Sequence, residues 1–241
     1  AVSLAKRATE VNPEESLNWD NLGFIYQNLL TIVDGVDQLA EDSYLTGAKL
    51  RPGDPIFTHK IGMLYLAKFD RYNQLNPGLR ADVAKDAQAS LAKAAEYLRK
   101  STELSNNFGS AIYNLGVVYE RQGRLVEAIQ QLEKIAPANS NQPGLAFELG
   151  LLYYRAGRKD DAFNTLQRAV VLAPDYSNAR WYLALILEER RDLDGAIQQL
   201  QRILDIDVNK NNPEVMKKLD ELRTGKNKTP PDKILDQQPI R

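Results

Sequence analysis

The chain has 241 residues, 43% hydrophobic and 26% charged, and its 31 basic and 32 acidic side chains leave a formal charge of −1. That balance provides no basic field to hold nucleic acid or an anionic membrane surface. Cysteine is absent, which excludes disulfides and thiolate metal sites. The apolar runs, such as Ala184–Leu187, fall far short of the ~20 residues of a membrane span, so this segment is not expected to insert directly into a bilayer. The opening AVSLAKRATEVNPEE is amphipathic and lacks the unbroken apolar stretch of a signal peptide.

In chain order, Ala1–Pro13 reads as one amphipathic helix closed by a proline, like the second half of a two-helix unit, so a longer parent protein is expected. Trp19, Leu22, Gly23 and Tyr26 in WDNLGFIY then fall at helical spacing, and LAEDSYLTGAKLRP supplies a second helix ending at Pro52. A further copy starts at Pro55 with Ile61, Gly62 and Tyr65, and closes with LAKAAEYLRKSTELSNN. Relative to a 34-residue period, the first of these copies carries about five extra residues around Thr31–Asp37. The second carries about twenty, in Asp70–Ala89, expected as longer helices and a loop; length drift and a docking element both account for them.

From Tyr113 the period is exposed directly: YNLGVVYERQGR, FELGLLYYRAGR and WYLALILEERRD begin 34 residues apart. Leu115, Leu149 and Leu183 form one column, followed by Gly116, Gly150 and Ala184, by Tyr119, Tyr153 and Leu187, by Ala128, Ala162 and Ala196, and by Leu132, Leu166 and Leu200. Steps of three and four residues within each unit mark amphipathic helices. Gly123 and Gly157 suit the end of a first helix, and Pro174 closes a second one. Close approach of the paired helices is expected at Gly116 against Ala128 and at Gly150 against Ala162. The last copy substitutes Ala184, Leu187 and Arg191 where its neighbours have Gly, Tyr and Gly, and its fold is expected to survive because alanine is still small. Beyond Val208, Val215, Leu219 and Leu222 give one more helix an apolar face, started by Asn212 and Pro213. Residues 224–241 are polar and proline-bearing and read as a disordered tail.

These residues resemble the tetratricopeptide repeat, with its W–x2–L–G–x2–Y, Ala and Pro pattern. The resemblance implies an all-α, right-handed α-solenoid of helix hairpins with a C-terminal capping helix. Its expected division is a half repeat at 1–15, repeats at 16–54, 55–108 (with the insertion), 109–142, 143–176 and 177–210, and a cap at 211–223, together one solenoid. One helix pair has too little interior to fold alone, so stacked copies complete the core.

Catalytic chemistry finds no support. The single histidine, His59, and the lack of cysteine preclude sites built on several imidazoles or thiolates, and no GxxxxGK[ST] or GxGxxG occurs. No catalytic, metal or cofactor residue is assigned. His59 could meet Asp20 of the preceding copy, as a surface or groove-lining side chain. Asp160-Asp161 and Glu188-Glu189 read as solvated, ion-pairing positions on helices.

In the resembled family the first helices line a concave side. There the residues two before each leucine are Asp20, His59, Tyr113, Phe147 and Trp181, and those after each glycine column are Phe24, Met63, Val117, Leu151 and Leu185. Asn114, Glu148, Tyr154 and Tyr182 flank them. The expected partner-binding groove therefore comprises Phe24, His59, Met63, Tyr113, Asn114, Val117, Phe147, Glu148, Leu151, Tyr154, Trp181, Tyr182 and Leu185. Tyr113, Phe147 and Trp181 could equally pack between copies, or do both. Asp20 and Phe24 stand where a clamp for a C-terminal carboxylate would need Lys and Asn, and Lys60 alone is not a clamp. The expected ligand is an extended peptide or an amphipathic helix with apolar anchors.

Two other readings stand beside this non-catalytic scaffold. One is the soluble repeat region of a larger enzyme or polytopic membrane protein, where it would position substrates or subunits. The chain is similar to repeat regions that follow the membrane spans of bacterial polytopic proteins, some resembling O-antigen ligases. Self-association through exposed ends or the convex side is the other. The sequence leaves the compartment open.

Overall fold

The structure, a computed structural model, describes residues 1–75 and 81–225; side chains are described outside 73–75 and 81–83. Among the described residues it is all-helical. The chain divides into two compact units, Ala1–Ile135 and the residues from Ala136 on.

The first unit comprises α1 (Val2–Val11), α2 (Ser16–Asn28), α3 (Val36–Leu50), α4 (Pro55–Leu75), α5 (Ala81–Leu104), α6 (Gly109–Arg121) and α7 (Leu125–Ile135). α2 packs on α3, α4 on α5 and α6 on α7, while α1 covers α2 and the pairs meet through α3 with α4 and α5 with α6. Leu22, Tyr26, Leu30, Val36, Ala40 and Leu64 form a buried cluster, with Val2, Ala5 and Trp19 packed against it. The lone leading helix thus closes the apolar side of α2, as stacking requires. The long insertion enters α4 and α5, which reach 21 and 24 residues; the loop expected between them falls on 76–80, outside the described residues.

The second unit comprises α8 (Pro143–Arg155), α9 (Lys159–Leu172), α10 (Ser177–Glu189), α11 (Leu193–Leu204), a 3-10 turn (Asp207–Asn209) and α12 (Pro213–Thr224). α8 pairs with α9 and α10 with α11, α9 meets α10, and α12 lies on α11. α12 begins as its sequence suggests. Asn212 Oδ1 accepts from the backbone N–H groups of Glu214 and Val215 at 3.0 and 3.2 Å, and Pro213 takes the first turn. Val215, Leu219 and Leu222 are its buried apolar face. Of the tail read as disordered, 226–241 lie outside the described residues.

The small column works differently from the sequence expectation. A Cβ placed on Gly150 would sit 2.7 Å from Leu166 Cγ, and one on Gly116 would collide with Leu132 Cδ1. The counterpart of each glycine is therefore the leucine one turn past the expected alanine, although the Ala128 carbonyl oxygen is also only 3.4 Å from the Gly116 position. Gly62 faces Leu98 and Gly23 faces the Tyr44 ring in the same way. Each leucine fills the space its glycine leaves empty.

The turn between paired helices repeats in two hydrogen bonds. The N–H of Gly123 donates to Glu120 O (2.9 Å) and that of Arg124 to Tyr119 O (2.8 Å); Gly157 and Arg158 repeat this on Tyr154 and Tyr153. This double closure needs a left-handed residue, and the glycines supply it at φ 74° and 76°. Arg191 adopts φ 64° in the third copy and keeps both bonds, to Glu188 O and, through Asp192, to Leu187 O. In the first two copies the arginine after the glycine lies over the copy's tyrosine, Arg124 over Tyr119 and Arg158 over Tyr153, each at 4.3 Å.

Candidate functional site

In the first unit, Phe24 on α2 is the most accessible of the expected groove residues, 56% exposed. It follows Gly23, whose close approach to Tyr44 fixes that side of α2 against α3. Met63 on α4, and Tyr113 and Val117 on α6, are half-buried. The structure joins two further members: His59 and Asn114 meet ring nitrogen to amide at 3.0 Å. The His59 ring stands edge-on to Phe108, centroids 5.2 Å apart. Burial, with the Lys60 charge beside it, lowers the His59 pKa, so the imidazole is neutral at pH 7. His59 does not meet Asp20. Lys60 pairs with Asp20 instead, and that pairing neutralises the cation a carboxylate clamp would use.

In the second unit the expected residues divide. Phe147, Glu148 and Leu151 on α8 are half-buried, whereas Trp181, Tyr182 and Leu185 on α10 are not accessible, at 3%, 8% and 1%. These three do not form an open stripe. Tyr182 joins an aromatic cluster, with Phe147 lying 5.8 Å from it and 5.0 Å from Tyr176. Tyr154 is also buried; its hydroxyl donates to Glu189 Oε2 at 2.6 Å. Burial and this carboxylate raise the Tyr154 pKa, so the hydroxyl stays a donor. Glu189 also accepts from the Lys159 ammonium. Burial opposes its ionisation, but the hydrogen bonds from Lys159 and Tyr154 and the charges of Lys159 and Arg190 outweigh that and lower its pKa.

A feature absent from the sequence reading lies among α3, α4 and α5. Tyr65 donates to Glu41 Oε2 at 2.6 Å and accepts from Lys93 Nζ at 2.8 Å, and the Tyr97 hydroxyl reaches Glu41 Oε1 at 3.4 Å. The Tyr65 and Tyr97 rings stack at 6.0 Å. Asp37, Lys68, Ser90 and Lys93 complete a polar cleft of about 320 Å³. Asp37 pairs with Lys68 and Glu41 accepts from the tyrosines, so the network binds the three helices together. The only sequence signal was the insertion that lengthens α4 and α5.

Among the described residues no group of three or more His, Asp or Glu side chains is placed to hold a metal ion. No described helix is long and apolar enough to cross a membrane.

Helix hairpins recurring along the sequence, with Gly62, Gly116 and Gly150 of their first helices set against leucines of the second and Gly23 against a tyrosine, define a helical-repeat protein. The chain belongs to the tetratricopeptide repeat family, whose model matches residues 80–143 and 147–209, more than half of the sequence. No curated protein matches it. Among solved structures it is similar to YrrB, described as a TPR protein with an unusual peptide-binding site. The two share 18% identity over 90% of this chain and 98% of that one, with a TM-score of 0.64. MamA of Desulfovibrio magneticus RS-1 is 19% identical over 82% of this chain and 97% of its own, with a TM-score of 0.62. PilF of Pseudomonas aeruginosa is 16% identical over 92% and 86%, with a TM-score of 0.62. At these identities the likeness is one of fold, a helical-repeat fold.

Proposed function

We propose that the protein is a non-catalytic scaffold that holds a peptide or helical segment of a partner against the face of its first helices. The observation that carries this is the accessibility of the column after each glycine in the first unit. Phe24 is 56% exposed and Met63 and Val117 half-buried, while the leucines and tyrosines beside them are sealed. Large apolar side chains held on rigid helices are the usual anchors of a binding surface. The neutral His59–Asn114 pair beside them offers polar contacts without a net charge. With Lys60 engaged by Asp20, the chemistry favours apolar anchors over a terminal carboxylate. YrrB's description as peptide-binding supports the same ligand class.

The test is selection of ligands from a displayed peptide library by the whole chain. Phe24→Ala with Met63→Ala should weaken capture of the selected peptides at least tenfold, about 1.4 kcal/mol, with the helical circular dichroism unchanged. Capture at full strength by the folded double variant would remove this face from the account.

A further inference from the structure

Arg71, Arg121, Arg124, Arg158 and Arg190 each donate to an Asp or Glu side chain. The buried cation of the second unit does the same: Lys218 Nζ donates to Glu188 Oε1 at 3.0 Å, with both side chains 4% exposed. Arg180, in the first turn of α10, departs from this. It is half-buried, yet among the described residues its guanidinium donates only to neutral acceptors. Nε reaches the Pro174 carbonyl oxygen at 2.6 Å and Nη1 reaches Gln199 Oε1 at 2.7 Å. Arg180 borders a cavity of about 650 Å³ that Arg202 of α11 also lines, with Pro174, Ile206 and Val208 as its apolar wall. Burial and the positive charge of Arg202 lower the Arg180 pKa, and the charge of Asp175 opposes them. Asp175, Asp205 and Asp207 line the same cavity, all three exposed. Among the described residues none of them accepts a hydrogen bond from either arginine, and Asp205 Oδ2 stays 3.9 Å from Arg202 Nη1.

A charge withdrawn from water ordinarily carries a partner, so two guanidiniums bordering one cavity call for an anion between them. Solvent screens exposed charges far more than half-buried ones, so the three carboxylates do not cancel Arg180. They do repel a polyanion such as a nucleic-acid strand or a polyphosphate. What remains is a singly charged anion, and the planar fork of arginine matches a carboxylate. We propose that this cavity binds a carboxylate carried on a short aliphatic stem, held between Arg180 and Arg202 with the stem against Pro174, Ile206 and Val208. A glutamate side chain of a partner segment and a free short-chain acid both present that chemistry. The assignment does not depend on the scaffold reading.

The test follows the arginine Nε–H resonances of the whole chain by NMR. Sodium butyrate, exchanged for sodium chloride at constant ionic strength, should move the Arg180 and Arg202 signals saturably. Arg202→Gln alters an exposed side chain, so far-UV circular dichroism should not change, while butyrate binding should weaken by about tenfold. Arg202→Lys keeps the charge without the fork and should recover only part of the loss. Tighter binding of the blocked peptide acetyl-Ala-Ala-Glu-Ala-Ala-amide than of butyrate, abolished when Gln replaces its Glu, would support the site with a polypeptide side chain as its ligand. The opposite order would support it with a free acid. The absence of saturable movement with either probe would overturn the proposal, as would butyrate binding that Arg202→Gln leaves intact. Inorganic phosphate binding more tightly than butyrate would overturn the choice of a carboxylate.

Discussion

Gly150→Ala is the sharpest probe of how one repeat is closed. A Cβ there would lie 2.7 Å from Leu166 Cγ and 3.0 Å from its Cδ2, well inside van der Waals contact. Leu166 is fully buried, so it cannot swing into solvent. Alanine is favoured over glycine within a helix by ~1 kcal/mol, yet overpacking of a filled site costs ~1–3 kcal/mol. A clash this close against a fully buried side chain lies in the upper part of that range, about 2–3 kcal/mol, so the variant should be less stable by about 1–2 kcal/mol. Leu166→Ala alone should cost about 2–5 kcal/mol through the cavity it leaves. In the double variant the clash is gone and the helix preference of alanine is recovered, so it should be no less stable than Leu166→Ala alone. The cycle then gives a favourable coupling of at least about 1 kcal/mol. Urea titration of the helical circular dichroism supplies the midpoints. A neutral or stabilising Gly150→Ala, or additive single effects, would show that this glycine is not there to make room for the leucine.

Three other perturbations address separate parts. Arg191→Gly should raise stability by roughly 0.5–1 kcal/mol, because the strain of a left-handed L-residue, about 1–2 kcal/mol, exceeds the extra freedom glycine gains on unfolding; a lower melting temperature would contradict this. Lys218→Met, which leaves Glu188 buried without its cation, should cost about 3–5 kcal/mol, while Lys218→Met with Glu188→Leu should recover most of it; equal destabilisation of the single and double variants by calorimetry would refute the pairing. Glu189 has a lowered folded pKa, so the stability it adds is present above the ordinary carboxylate range and lost as pH falls through its folded value. Melting temperatures from pH 7 to pH 3 should therefore fall less steeply for Glu189→Gln than for the parent, and parallel curves would reject its linkage.

The fold was legible where it depends on local order. The leucine columns, the glycines ending the first helices and the Asn212-Pro213 start of α12 each act within one or two turns, and the structure carries them as the spacing implies. The partner of each glycine was misplaced by one turn, Leu132 and Leu166 rather than Ala128 and Ala162, because sequence spacing does not give the offset at which two helices cross. The candidate site was legible in part. Phe24 is accessible, but Trp181 and Leu185 occupy the same columns as Tyr113 and Val117 and are sealed. A column reports which face of its helix a residue occupies, not what lies against that face. The Glu41–Tyr65–Lys93 network and the buried Lys218 were invisible for a related reason: their partners lie 24 to 30 residues away on other helices. Lysine is rarely buried, so nothing in the spacing of α12 singles out Lys218.

The scaffold's function turns on where a bound peptide lies. A photo-crosslinking amino acid can be placed at Met63, on the first helix α4, and in a second protein at Val126, which is 63% exposed on the second helix α7. A library-selected peptide should form an adduct at position 63 and none at position 126. Adducts at position 126 without any at position 63 would contradict the central claim.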